Sequence, residues 1–174
     1  MTKRPVLIAW AFALLWMAVI ALESFTGSSE NTARVLRPVL EFIFGPLRAH
    51  TFELIHGALR KGGHFFGYAT LSFTQYRAVW TTLQARRDPE RLSWRAMFSA
   101  WSWRGALVAL LVTLAFAGLD EWHQSYLASR TGSVRDVVLD EFGGCLAQLA
   151  ILTLSKPSVP SAGRPTKEPA TISS

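Results

Sequence analysis

The chain has a single cysteine, Cys145, in 174 residues, and charged side chains make up only 17% of it. One cysteine excludes an internal disulfide framework and a cysteine-built zinc cage. Neither H-E-x-x-H nor G-x-S-x-G occurs, so the sequence carries no zincin helix and no nucleophile elbow. No internal repeat is present. Scarce charge combined with 50% hydrophobic residues and a mean hydropathy of +0.23 excludes disorder throughout the chain. The charge that remains is unbalanced, with 18 Lys and Arg against 12 Asp and Glu, a formal +6. A soluble nucleic-acid binder would explain that excess, but its apolar residues would fall in short amphipathic stripes. Here they fall in long runs.

Residues 5–22, PVLIAWAFALLWMAVIAL, contain no charge, and as a helix they reach ~27 Å, close to a hydrocarbon core. Lys3 and Arg4 precede them, as they would in a signal peptide. The apolar stretch exceeds the ~7–15 residues of a signal core, and Val19 and Ala21 make a weak cleavage site, so a retained anchor helix is expected. A second span is expected over about 62–80, interrupted by His64 and Arg77. A third is expected over about 103–120. Trp103 and Trp122 bracket it, ~28 Å apart along a helix, the spacing of indoles at two interfaces. A fourth, about 137–154, carries Asp140 and Glu141 near its start.

This predicts an all-α integral membrane protein, one domain over residues 1–155, with four transmembrane helices. Its first partner is the lipid bilayer; nucleic acid is not expected. Arg86, Arg87, Arg91, Arg95 and Arg104 crowd the connection between spans two and three, and both ends of the chain are basic. The positive-inside rule then puts both termini in the cytoplasm and makes much of the +6 a topology signal. Between spans one and two, Leu36, Val39, Leu40, Ile43 and Leu47 recur at helical spacing among Arg34, Arg37, Glu41 and Arg48. An amphipathic helix lying in the outer interface is expected over about 32–59, broken at Gly45-Pro46. Residues 156–174 lose all apolar periodicity, which predicts a disordered cytoplasmic tail.

Polar residues that are costly in a membrane cluster in three places. Lys61, His64 and Tyr68 share a helix face at the start of span two. Asp120, Glu121, His123 and Gln124 end span three, and Arg130, Asp136 and Asp140 lead into span four. One crossing separates the first cluster from the second, so all three lie on the same side of the membrane, the outer side in this orientation. Individually, Lys61 and Arg130 read as snorkelling anchors and Tyr68 as packing. Together the ten residues Lys61, His64, Tyr68, Asp120, Glu121, His123, Gln124, Arg130, Asp136 and Asp140 suggest a shared polar pocket, because a charge deep in a span costs ~3 kcal/mol on insertion scales.

These residues resemble the VanZ-like family of small bacterial membrane proteins. Lys61, His64, Phe65, Tyr68 and Leu71 match its K-x-x-H-F-x-x-Y-x-x-L motif. Asp120, Glu121, Gln124, Arg130, Asp136 and Gly143 match its D-E-x-x-Q, following Arg, and D-x-x-x-N-x-x-G. Two positions depart: Arg60 stands where many members have Asp, and Asp140 where many have Asn. The resemblance implies a bacterial membrane protein whose namesake is linked to glycopeptide (teicoplanin) resistance, and it implies no reaction.

Three readings of the layer stay open. The first is a non-enzymatic cell-envelope protein binding a lipid-linked or cell-wall component at the outer leaflet. Three cations (Lys61, Arg130, Arg135) against five carboxylates (Asp120, Glu121, Asp136, Asp140, Glu141) make the layer formally −2. That charge suits a zwitterion, an amine or a cation better than an anion. The second is a membrane-embedded enzyme, since His64, Asp120, His123, Asp136 and Asp140 include metal-binding and proton-moving types. No established spacing supports it, so no catalytic residue, metal or cofactor is assigned. The third is a structural clasp holding four helices, with Gly143, Gly144 and Ala147 allowing close contact.

Overall fold

The computed structural model describes residues 3–26, 29–88, 92, 101–126 and 132–155. They form five α-helices: α1 (Lys3–Thr26), α2 (Ser29–Phe44), α3 (Ala49–Arg87), α4 (Trp103–Gln124) and α5 (Val134–Leu154). There is no strand among the described residues. This is an all-α membrane protein. Arg130 and the tail 156–174 lie outside the described residues.

Among the described residues, three helices are long and apolar enough to cross a membrane, over Arg4–Phe25, Trp103–Gln124 and Val134–Leu154. The helix containing 62–80, expected as a span, is not among them by length and composition. The reason is its place in the fold. α1, α4 and α5 all pack on α3, burying Tyr68, Ser72, Gln75, Tyr76 and Thr81 along its length. These polar side chains meet protein, so hydrophobicity is not demanded of them.

Contacts fix the directions of the helices. Trp10 Nε1 donates to Thr82 Oγ1 at one end of the bundle, and Trp16 Nε1 to the Gly67 carbonyl further along, so α1 and α3 are antiparallel. At the N-cap of α4, the Ser102 amide donates to Tyr76 Oη, while Asp120 near the other end meets Tyr68. α5 runs the other way, with Asp140 near His64 and Gln148 donating to Ser72. The His64–Tyr68 stretch in the middle of α3, the end of α4 and the start of α5 therefore share one layer.

Small residues make the close approaches. Ala9 and Ala13 of α1 pack on Ala78. The buried stripe of α4 begins with Gly105, Ala106, Ala109 and Thr113, a small-residue seam of the kind that lets membrane helices approach closely. On α5, a Cβ at Gly143 would run into the Phe65 carbonyl oxygen, and one at Gly144 would stand 3.1 Å from the Thr113 methyl. Outward, Leu7, Phe12, Leu15, Leu111, Val138 and Leu149 are exposed. Such continuous apolar surface is unsuited to water and suited to lipid. Trp103 and Trp122, also exposed, mark the two ends of α4.

The surface helix is shorter than expected. α2 ends at Phe44, where Gly45 takes φ +80° and its amide caps the Glu41 carbonyl, a left-handed stop that glycine adopts without strain. After Gly45-Pro46, residues 49–59 belong to α3 rather than to the interfacial helix expected over 32–59. Nothing between Ala49 and Arg87 breaks the helix, since its glycines weaken it without supplying a stop. Val35, Val39 and Phe42, at i, i+4 and i+7, form a bare apolar face, with Phe42 91% exposed. The opposite side holds the Arg37–Glu41 pair at 3.0 Å and sets Arg37 over the Phe52 ring of α3.

Candidate functional site

The polar layer is assembled from one turn of α3, the last turn of α4 and the first two turns of α5. Tyr68 Oη donates to Asp120 Oδ2 at 3.0 Å. The Ser133 amide, in the connection leading into α5, donates to Glu121 Oε2 at 2.7 Å. This ties Ser133, the N-cap of α5, to the end of α4, and Ser133 Oγ caps α5 by accepting from the Arg135 amide. His64 Nδ1 stands 3.5 Å from Asp140 Oδ2, longer than a well-formed hydrogen bond.

Asp140 has no exposed surface, and Asp120, Glu121, Gln124 and Tyr68 are also buried. Several of their polar atoms have no hydrogen-bond partner among the described residues: both oxygens of Asp140, Asp120 Oδ1, Glu121 Oε1, both ring nitrogens of His64 and Gln124 Nε2. Buried groups of this kind normally find partners, and a run of unpaired ones marks a place where a cation or a polar ligand fits. His64, Glu121 and Asp140 each present one ligand-type atom, all within 4.8 Å of one another. By sequence spacing no metal is assigned to these residues, and His123 rather than Glu121 falls with the metal-binding types.

Not every expected residue joins this centre. His123 turns toward α1, where its Nδ1 lies 3.5 Å from Ser24 Oγ and its ring packs 4.3 Å from Phe25. Lys61 is exposed and Asp136 half-buried; both border the small space beside His64 together with Arg60 and Leu139.

α1 and α2 also contribute walls to the site. A cavity of about 390 Å³ opens between α1, α2 and α3. Trp16, Ile20, Leu36 and Leu59 supply apolar wall, and Glu23, His56, Arg60 and His64 supply polar groups. A second cavity of about 190 Å³ lies between α1 and α4, bounded by Phe25, Phe116, Asp120 and His123 among others. Both therefore border residues of the polar layer. The only hint in the sequence was charge at the ends of apolar runs, Glu23 after the first and Arg60 before the second. Deeper, Gln148 Nε2 donates to Ser72 Oγ at 2.8 Å and Ser72 Oγ to the Gly144 carbonyl, a polar clasp between α3 and α5.

Neither the curated proteins nor the solved structures give a match to this chain. The VanZ/LLP1 family model matches residues 8–155, from the first span to just past α5 and across every helix that builds the layer. The chain belongs to the VanZ/LLP1 family.

Proposed function

We propose that this protein crosses the bacterial inner membrane four times, α3 being the fourth span, with both termini in the cytoplasm. In this reading it binds a lipid-linked or cell-wall-related ligand at the outer leaflet. The observation that carries the reading is the cavity of about 390 Å³ with His64 on its wall. Its size falls within the range of ligand sites. Its lining is mostly apolar, with Glu23, His56, Arg60 and His64 gathered on it, and His56 Nε2 and both His64 nitrogens have no hydrogen-bond partner among the described residues. An amphipathic molecule with an apolar chain and a zwitterionic or amine-bearing head matches that lining. The family's link to glycopeptide resistance is compatible with such a ligand. No reaction is proposed.

The test is mass spectrometry of lipids that co-purify with the wild type, Gly63→Phe and Arg60→Gln. A Cβ at Gly63 meets no atom within 4 Å, so the phenyl ring has room to grow into the cavity that Gly63 lines. A bound species depleted at least tenfold in both variants supports the reading. Equal retention in both overturns it. The Tyr68–Asp120 and Ser133–Glu121 bonds favour a second, compatible role for the layer, as a clasp that holds α3, α4 and α5 together.

A further inference from the structure

We propose that His64, Glu121 and Asp140 bind one first-row divalent cation of the Zn²⁺/Mn²⁺ class where α3, α4 and α5 meet. Three helices distant in sequence deliver one imidazole nitrogen and two carboxylate oxygens to within 4.8 Å of one another. Donors held at ~2.1 Å around a tetrahedral ion stand ~3.4 Å apart. The His64–Asp140 pair, at 3.5 Å, already has that separation, and the third donor needs a shift of about an ångström or so.

An independent observation concerns what these side chains lack. Asp140 is fully buried and faces His64 Nδ1 at 3.5 Å without a well-formed hydrogen bond; Glu121 Oε1 and His64 Nε2 have no hydrogen-bond partner among the described residues. Two ionised carboxylates in a low-dielectric interior are costly unless a cation compensates them. With a neutral imidazole, this donor set carries −2, and a divalent ion brings it to zero. The bond from the Ser133 amide to Glu121 Oε2 holds that carboxylate in place. One nitrogen and two oxygens, without a thiolate, suit Zn²⁺, Mn²⁺ or Fe²⁺; Ca²⁺ and Mg²⁺ prefer all-oxygen shells. His123 is excluded from the set by its contact with Ser24 and Phe25. An ion on His64 would sit at the wall of the 390 Å³ cavity.

The inference goes beyond the ligand reading and does not depend on it. Metal is measured without any lipid, so either can fail alone. Untagged protein in detergent is stripped with EDTA and titrated with Zn²⁺ and with Mn²⁺, and bound metal is counted by mass spectrometry. About one ion per chain is expected. His64→Gln, Glu121→Gln and Asp140→Asn should each weaken binding at least tenfold, while His123→Gln and Asp136→Asn stay within about twofold of wild type. The proposal is overturned if wild type takes up neither ion, or if all five variants bind alike; the second result would leave neutralisation of the acids to protons or to Arg130. Should the three ligand variants fail to fold, wild type loaded with one equivalent of Cu²⁺, the tightest binder of mixed N/O sites, decides the matter by electron paramagnetic resonance. Coupling to one imidazole nitrogen is expected, and a spectrum without nitrogen coupling overturns the assignment.

Discussion

Tyr68 of α3 and Asp120 of α4 share a 3.0 Å hydrogen bond in which the buried phenol donates to one oxygen of a buried carboxylate. Asp120 Oδ1 has no such partner. This bond ties the first helix of the polar layer to the second and gives the tyrosine a role beyond packing.

Tyr68→Phe should therefore destabilise the protein by about 1–2 kcal/mol, read from unfolding in detergent. Interhelical hydrogen bonds in membranes are often worth less than this, but losing the donor leaves a buried acceptor unsatisfied. Unchanged stability would show that the bond contributes nothing net.

Glycine substitutions on α5 and α4 should part sharply. Gly143→Ala forces a methyl against the Phe65 carbonyl, backbone that cannot rotate away, and should cost at least about 1–3 kcal/mol as overpacking. Gly118→Ala meets no atom within 4 Å and should be neutral or mildly stabilising through helix propensity. Similar accumulation and melting of the two variants would show that the α3–α5 contact is looser than described.

Gln148→Leu removes both bonds to Ser72. A double-mutant cycle with Ser72→Ala should give a coupling of about 0.5–1.5 kcal/mol. A coupling near zero would place the close α3–α5 contact on the glycines alone.

Cys145 is exposed on α5, twelve residues into a helix apolar enough to span a bilayer. A membrane-impermeant charged maleimide should leave it unlabelled in intact vesicles and label it in dodecyl sulfate. In a Cys145→Ser background, Ser133→Cys should react from outside the cell. Labelling of Ser133→Cys only from the cytoplasmic face would invert the proposed orientation.

Much of this arrangement was legible because the signals were local. Uncharged runs located α1 and α4, Gly45-Pro46 located the end of α2, and the spacing of His64, Tyr68, Asp120 and Asp140 placed them in one layer. Less legible was anything decided by a neighbour. α3 tolerates polar residues because three other helices cover Ser72, Gln75 and Tyr76, and no window of sequence reports that cover. His123 sits one turn from Asp120 yet belongs to a contact with Ser24, ninety-nine positions away. The cavity depends on α1, α2 and α3 meeting, so beyond the charges at Glu23 and Arg60 its lining leaves no trace in the sequence. Glu121 read as one carboxylate among five until the fold set it beside His64 and Asp140.

α3 runs thirty-nine residues without a break, ~58 Å of rod against ~30 Å of hydrocarbon. One stiff shaft thus carries both the seat of α2, at Phe52, and the polar layer, at His64 and Tyr68. If α3 spans the bilayer as proposed, a thinner or thicker membrane is accommodated by tilting such a shaft rather than by shortening it. The height of the surface helix and the depth of the buried acids are geared to each other, and a force that lifts one must displace the other.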